Sequence, residues 1–223
     1  MKIIATVKND FPTKFGLPRQ GDAAAFIKGE IVFEKPYRSP DYIRGLDGFS
    51  HIWVIWLFSD NPQSDAATVR PPLLGGNERK GVFATRSSFR PNGIGITVLK
   101  LEGIEYTADR GAVLKVSGCD MKSGTPVIDI KPYLPKSDCF QDATSGFAQP
   151  LATAKLTVKD PENLLATLPE DKAQELVATL SQDPRPRYIT DQNRVFGFRF
   201  IDREVTFTSD GETVKIISIN KTK

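Results

Sequence analysis

The sequence predicts a mainly β fold, with a single-sheet β-barrel main domain followed by a small C-terminal α+β domain. Up to Tyr133 the apolar residues occur in short runs rich in β-branched and aromatic side chains, which is typical of strands. The segments between these runs contain Gly and Pro, and none shows the long 3.6-residue period of a crossover helix. Parallel strands need such crossovers, so we expect an antiparallel sheet that is curled or closed on itself.

The predicted strands of the main domain follow one another along the first part of the chain. They cover residues 3–7, 30–33, 52–58, 82–85, 95–106, 112–116 and 127–130. Breakers such as Pro71-Pro72 and Gly75-Gly76 separate them, and breakers of this kind end regular structure. We assign residues 1–150 to this domain.

The chain changes character between residues 136 and 154, where small and polar residues predominate and a linker or wrapping arm is expected. Helix-start signals follow at 160–162 and 169–171, each with Pro beside acidic residues. The second predicted helix has an apolar face made of Ala173, Leu176, Val177 and Leu180. Strand-like runs at 194–201, 204–208 and 213–219 complete a predicted α+β domain of residues 151–223.

The composition excludes several classes of protein. Lys+Arg 30 against Asp+Glu 27 gives a net charge of +3, which is too small to indicate a nucleic-acid-binding protein by bulk charge. One histidine, His51, and two cysteines without a CxxC pair give no zinc-ligand pattern, so no metal is expected. The Gly-rich nucleotide-binding motifs and a complete nucleophile elbow are missing from the sequence. The longest apolar run has seven residues and no secretory leader is recognised, so we expect a cytoplasmic protein without a membrane span.

Positive charge is concentrated between residues 70 and 100, where six cations stand against the single acid Glu78. Arg70 and Arg90 each precede a proline, which restricts their backbone to extended geometry. Planar guanidinium groups suit carboxylates and phosphates, so this segment is a candidate site for an anionic ligand or an RNA backbone. Solvated surface arginines remain the alternative interpretation.

Two further segments carry candidate functional side chains. Asp129 and Lys131 lie on the same side of a predicted strand, where they either pair with each other or act as a proton acceptor and an anion contact. Arg185 and Arg187 lie in the proline-stiffened segment 183–188, which is either a helix stop or an extended basic arm.

Six motifs stand in the first part of the chain: FGLPRQ (15–20), GFSHIW (48–53), VRPP (69–72), LGGN (74–77), GVFATRSSFRPN (81–92) and GTPVIDIKPYLP (124–135). Together they resemble the TsaA-like family, whose characterised members are TrmO-type tRNA methyltransferases. QDPRPRY (182–188) is similar to the smaller C-terminal domain of that family. Gly93 departs from the family motif, which has Pro at this turn.

The resemblance implies a β-barrel that binds S-adenosylmethionine outside the Rossmann framework. It also implies a homodimer that methylates N6 of threonylcarbamoyladenosine, the tRNA nucleoside immediately 3′ of the anticodon. By position in the motifs, the implied cofactor-binding residues are Arg19, Gln20, Gly21, Asp22, Ser59, Asp60, Arg86, Ile96, Asp120, Met121, Lys122 and Ser123. The implied tRNA-binding residues are Arg70, Arg90, Lys131, Arg185 and Arg187, and the implied catalytic residues are Asn92, Asp129 and Tyr133.

The reaction implied by the resemblance requires positioning of a methyl donor against a nitrogen and removal of a proton from that nitrogen. Asp129 is the candidate proton acceptor. Two alternatives stay open on sequence grounds. One is a non-catalytic RNA-binding module, and the other is a methyltransferase or hydrolase that acts on a small anionic metabolite.

Overall fold

A closed barrel of six antiparallel strands forms the first part of the molecule, in the order β1-β2-β7-β6-β3-β8. The computed structural model describes residues 1–18, 24–62, 64–71, 74, 77–148, 155–185, 189 and 191–222. The barrel strands are β1 (Ala5–Lys8), β2 (Lys28–Phe33), β3 (His51–Leu57), β6 (Ile94–Thr107), β7 (Gly111–Ser117) and β8 (Pro126–Pro132). Pairing of Ala5 with Val127 closes the sheet between its first and last strands. This arrangement confirms the predicted mainly β, single-sheet barrel.

The barrel closes because apolar side chains alternate along its strands. In β3, Ile52, Val54 and Trp56 are buried inside, while the residues between them lie on the outer surface. β6 is fourteen residues long and pairs with both β3 and β7, with an irregularity between Leu101 and Gly103. Closure between β1 and β8 rests on two residue pairs, Ala5 with Val127 and Thr6 with Pro126.

The C-terminal part forms a four-stranded sheet in the order β10-β11-β12-β9. Its elements are β9 (Thr157–Lys159), α2 (Glu170–Leu180), β10 (Phe196–Phe200), β11 (Arg203–Ser209) and β12 (Thr213–Lys221). β9 runs parallel to β12, and the other pairs are antiparallel. Leu176 and Leu180 of α2 are buried, as the predicted apolar face requires.

The sheet packs against the segment that follows β1, so the two parts share one core. The ring of Phe11 lies 5.2 Å from that of Phe200 and 6.5 Å from that of Phe198, centroid to centroid. Gly16 has φ +90°, and a Cβ placed there would come within 2.3 Å of the Phe198 ring. Only glycine satisfies both the left-handed backbone and this close approach.

Short elements connect the larger ones. β4 (Thr68–Val69) pairs with β5 (Lys80–Gly81), and α1 (Pro135–Asp138) follows β8. Single turns of 3₁₀ helix lie at Lys35–Tyr37, Pro40–Ile43, Leu46–Gly48, Val82–Ala84, Gly146–Ala148 and Leu164–Thr167. None of the helices in the described ranges is both long and apolar enough to cross a bilayer.

Two predicted elements are wrong, and three short strands were not predicted. The expected strand 82–85 is a 3₁₀ turn, because the Val82 N–H bonds Ala67 O and the Thr85 N–H bonds Val82 O. The expected helix at 160–162 is replaced by the 3₁₀ helix Leu164–Thr167, in which Asp160 accepts from the N–H groups of residues 164 and 165. β4, β5 and β9 have only two or three residues each, too few to leave a periodic pattern. Residues 149–154 of the predicted linker lie outside the described ranges.

Candidate functional site

Three chain segments that are distant in sequence meet at one end of the barrel. β3 runs antiparallel to both β6 and β8, so the end of β3 and the starts of β6 and β8 lie together. We call the polar group found there the barrel-end cluster, and it consists of Asp60, Arg86, Thr97, Asp120 and Lys122. Asp60, Arg86, Asp120 and Lys122 are among the cofactor-binding residues implied by the motifs, and Thr97 is not. Residues 19–22 lie outside the described ranges.

Asp120 is the most buried acid of the barrel-end cluster. Its Oδ1 accepts a hydrogen bond from Thr97 Oγ1 at 2.8 Å, and Thr97 Oγ1 in turn accepts from Trp56 Nε1 at 3.1 Å. Burial raises the pKa of the Asp120 carboxyl, while the Thr97 hydrogen bond and the positive charge of Arg86 act in the opposite direction. A carboxylate in this setting is suited to receive a cationic or hydrogen-bond-donating ligand group.

Asp60 joins the end of β3 to the segment that precedes β8. Its carboxylate lies 2.8 Å from Lys122 Nζ and 3.9 Å from Lys14 Nζ. The hydrogen bond from Lys122 lowers the pKa of Asp60, so this acid is ionised at neutral pH. Lys14 also contacts Asn61. Asn61 bonds Ser88 in the cation-rich segment between β4 and β6, which we call the basic loop. These contacts tie the basic loop to the barrel end.

The Pro-Asn-Gly-Ile-Gly turn is shaped by close packing. A Cβ on Gly95 would lie 2.4 Å from Cε2 of Trp56, so the indole ring requires glycine at this position. Gly93 has φ +58°, which proline cannot adopt, and its carbonyl accepts from Phe58 N at 2.8 Å. The turn therefore has a glycine-specific conformation in this chain, and it places exposed Asn92 beside the end of β3.

The arginines of the basic loop differ in their contacts and in their exposure to solvent. Arg90 Nη1 donates to Thr85 O at 3.2 Å, so its guanidinium holds its own loop. Arg70 follows β4 and is exposed. Phe83 is 82% exposed on the 3₁₀ turn of the same loop.

Asp129 and Lys131, the candidate functional residues of β8, lie on the outer face of the barrel. Lys131 Nζ and Asp129 Oδ2 are 3.1 Å apart, so the two side chains form an ion pair. Mutual pairing was one of the two interpretations of these residues in the sequence. Tyr133 packs on Trp53, with ring centroids 5.7 Å apart. Tyr133 is seven residues beyond Pro126 at the start of β8, which is about 23 Å at 3.3 Å per residue. Within one chain, the structure does not bring Tyr133 to the cluster.

The basic arm is described only in part. Arg185 Nε lies 2.9 Å from both carboxylate oxygens of Asp183, and its Nη1 donates to Ser209 O at 3.0 Å. This guanidinium therefore anchors the hairpin of β11 and β12. Arg187 lies outside the described residues, as do Arg19, Gln20, Gly21 and Asp22.

Several polar residues of the site were missed by the sequence analysis. Trp56 and Thr97 occupy partly or fully buried strand positions, and Asn61 flanks the cluster without belonging to a recognised motif. Asn9, directly after β1, bonds the segment of Met121. A polar residue at a strand end is the only signal that could have found it. Among the described residues, no group of three or more His, Cys, Asp or Glu is placed to hold a metal ion.

The fold and this site define a class of protein: a closed antiparallel barrel with a charged, partly buried polar end, built without the parallel sheet of a Rossmann domain. Comparison with known families then assigns the chain. Residues 6–139 match the tRNA-methyltransferase O N-terminal domain, and residues 153–222 match the TrmO C-terminal domain. The chain belongs to the TrmO family.

Individual relatives agree with this assignment. The chain is 40% identical over 193 residues to the tRNA (adenine(37)-N6)-methyltransferase of Escherichia coli strain K12, covering 83% of this chain and 81% of the relative. It is 37% identical over 213 residues to a putative S-adenosylmethionine-dependent methyltransferase, RcsF, of Pseudomonas aeruginosa, with 91% and 89% covered. A crystal structure of TrmO from P. aeruginosa superposes with a TM-score of 0.78 at 32% identity, covering 99% of this chain and 95% of that one.

Proposed function

We propose that this protein is an S-adenosylmethionine-dependent methyltransferase that methylates N6 of adenosine 37 in tRNA. Membership of the TrmO family over both parts of the chain supports the activity. The observation that carries the proposal is the barrel-end cluster, in which Asp60–Lys122 and Thr97–Asp120 contacts unite three separate segments at the motif positions. A protein that only bound RNA would have no need of this arrangement.

The chemistry of the barrel-end cluster fits the methyl donor. When bound, S-adenosylmethionine supplies an electrophilic methyl group on a sulfonium, and it also carries an ammonium, a carboxylate and an adenine. Asp120 and Asp60 are the acids available to the ammonium, and Arg86 is the cation available to the carboxylate. Ile96, 47% exposed on β6, offers an apolar contact for the adenine. Met121 and Ser123 flank Lys122 in the same segment, and Ser59 precedes Asp60. Residues Arg19, Gln20, Gly21 and Asp22 complete this proposed set.

The substrate side of the proposal uses the outer face of β8 and the basic segments. Asp129 accepts the N6 proton, with Asn92 and Tyr133 beside the substrate. The Asp129 carboxylate lies 3.1 Å from Lys131 Nζ on this face. The proposed tRNA backbone contacts are Arg70, Lys131 and Arg187, because the implied contacts Arg90 and Arg185 are held by bonds within the protein. The preferred substrate carries a threonylcarbamoyl group, whose carboxylate suits these cations.

The proposal includes a homodimer located in the cytoplasm. Tyr133 follows the far end of β8 and is not brought to the barrel-end cluster of the same chain, so a second copy offers the other half of a site. Large apolar side chains near the cluster, including Phe83, Phe89 and Ile96, are exposed in the single chain, which supports burial against a partner. The proposal also assigns residues 1–150 to cofactor binding and catalysis and residues 151–223 to tRNA binding.

The decisive experiment is calorimetric titration of the purified protein with S-adenosylmethionine, followed by methyl incorporation into tRNA that carries or lacks the threonylcarbamoyl group. Saturable binding and incorporation only into the modified tRNA are expected. Incorporation into both tRNAs would retain the methyltransferase and remove the threonylcarbamoyl specificity. Absence of binding, with and without tRNA, would favour a non-catalytic RNA-binding module.

A further inference from the structure

Asn9 lies at a junction between the first strand of the barrel and the segment 119–125 that leads into β8. Its carboxamide is partly buried, and its Nδ2 donates to Met121 O at 2.6 Å. Its Oδ1 accepts from the N–H of Phe11 at 3.0 Å. These bonds fix the orientation of the amide, because a carbonyl only accepts and an N–H only donates.

The same side chain and its neighbours bond most of the 119–123 segment. Asn9 Nδ2 also lies 3.3 Å from Cys119 Sγ, and the backbone N–H of Asn9 reaches Ser123 Oγ at 3.4 Å. The Ser123 N–H donates to Phe11 O at 2.8 Å. Besides Asn9, the Met121 carbonyl receives only a long thiol contact of 3.7 Å from Cys119 among the described residues. Loss of the Asn9 amide would leave that carbonyl without a strong donor.

Asp120 is therefore held from two sides. Trp56 and Thr97 hold its carboxylate from inside the barrel, and Asn9 holds the backbone of the next residue from the exit of β1. A shift of the Met121 peptide would move Asp120 on one side and Lys122 on the other. Both of these side chains belong to the barrel-end cluster.

We propose that Asn9 is a positioning residue of the methyl-donor site, which acts by fixing the backbone of Met121 so that Asp120 and Lys122 face the donor. This inference rests on the proposed function, since it assumes that the barrel-end cluster binds the donor. Asn9 itself makes no contact with the reacting groups. The residue type matters, because only a short carboxamide both accepts from Phe11 N and donates to Met121 O at this position.

The test uses Asn9→Asp in the full-length protein. This substitution keeps the size of the side chain and the acceptor for Phe11 N but replaces the donor with a carboxylate oxygen facing the Met121 carbonyl. Asn193→Asp is the matched control, because it makes the same chemical change at an exposed residue of the C-terminal part. The readouts are the Kd for S-adenosylmethionine by calorimetry, the KM for each substrate, the kcat at saturation and the Tm.

For Asn9→Asp we expect the Kd and KM for S-adenosylmethionine to rise by about tenfold or more, with kcat at saturation and KM for tRNA within about twofold of wild type. The control variant keeps the wild-type Kd and KM for S-adenosylmethionine. A folded Asn9→Asp protein with unchanged affinity for S-adenosylmethionine, or with a lowered kcat and an unchanged KM, overturns the positioning role alone. If the wild type itself binds no S-adenosylmethionine, the proposed function falls and this inference falls with it. If Asn9→Asp does not fold, Asn9→Gln, which keeps both polar atoms on a longer arm, is judged by the same criteria.

Discussion

At the scale of single residues, two buried carboxyl groups have environments that raise their pKa. Asp120 belongs to the barrel-end cluster, and Glu175 lies on α2 where it packs against the barrel. Asp120 has a hydroxyl donor and a nearby arginine, so its burial is compensated by groups that suit ligand binding. Glu175 has a partner for only one oxygen, because Lys172 bonds Oε2 at 3.2 Å and Oε1 has none among the described residues.

Glu175 makes the stability of this protein depend on pH. The side chain is 3% exposed, and burial raises its pKa to about 7, against an offsetting attraction to Lys172. The value in an unfolded chain is about 4.3, so the folded state holds the proton more tightly. The stabilisation from this proton is complete at low pH and is lost as pH rises from about 4.3 through about 7. Asp10, Asp171 and Lys172 are the charged groups nearest to it.

We therefore predict that Glu175→Gln flattens the pH dependence of the free energy of unfolding. Between about pH 5.5 and 8 the wild type should lose on the order of 2 kcal/mol relative to the variant. Urea titrations at several pH values measure this difference. Glu170→Gln, an exposed acid on the same helix, is the control and should follow the wild type. Parallel pH profiles for wild type and Glu175→Gln would contradict the prediction.

Asp129 is the residue on which the proposed chemistry depends. Asn in its place keeps the shape of the side chain but cannot take a proton at neutral pH. For Asp129→Asn we expect turnover with saturating tRNA and S-adenosylmethionine to fall by about a hundredfold, within the range typical of general-base removal. Calorimetry should show unchanged affinity for S-adenosylmethionine. Wild-type turnover in this variant would remove Asp129 as the proton acceptor.

At the scale of elements, the geometry of β6 decides where the barrel-end cluster forms. Gly95 lies opposite Trp56 in the β3–β6 register and lets the indole ring lie flat against the strand. The indole N–H can then reach Thr97, and Thr97 can reach Asp120. One glycine thus positions a chain of two hydrogen bonds that joins three residues.

Gly95→Ala should destabilise the protein and disturb this chain of contacts. The added methyl would meet the Trp56 ring at 2.4 Å, so we expect a loss of about 1–3 kcal/mol in unfolding free energy. Urea unfolding followed by tryptophan fluorescence measures both the stability and the environment of Trp56. Gly103→Ala is the matched control on the same strand, since nothing lies within 4 Å of a Cβ placed there. Equal unfolding free energies for Gly95→Ala and Gly103→Ala would contradict the prediction, because they would mean that the Trp56 ring can move aside without loss of stability.

At the scale of the whole molecule, the barrel and the C-terminal sheet share one core. Phe11 and Gly16, on the segment after β1, pack against Phe198 and Phe200 of β10. Lys172 of α2 also pairs with Asp10. Deletion of residues 160–223 would expose these aromatic rings, so point substitutions are a better way to separate tRNA binding from folding.

Charge substitutions should separate the two ligands by their response to salt. Binding of tRNA releases counterions, so its affinity should fall steeply with ionic strength while that for S-adenosylmethionine changes little. Lys131→Gln combined with Arg70→Gln should reduce the slope of log Kd against log salt for tRNA by about two. Filter-binding titrations at several salt concentrations test this. Lys35→Gln, an exposed lysine outside the proposed surface, should leave the slope unchanged.

Most of the fold could be predicted from sequence because burial alternates locally along each strand. Six of the seven strands predicted in the main domain exist within a few residues of their expected bounds, and the exception at 82–85 is fixed by a long-range bond to Ala67. The C-terminal hairpin of β11 and β12 and the helix α2 are also where turn and periodicity signals placed them. The predicted helix at 160–162 failed because a cap signal alone does not say how long the following helix will be.

The sequence by itself determined the fold class, the family motifs and which polar residues were candidates, since these depend on local pattern and residue type. Tertiary structure decided which candidates meet. It joined Asp60 to Lys122 and Asp120 to Thr97, kept Arg90 and Arg185 in internal bonds, and placed Tyr133 away from the barrel end. It also brought in Asn9, which is more than a hundred residues from its partner Met121. Strand order and register set such distances, and no local pattern encodes them.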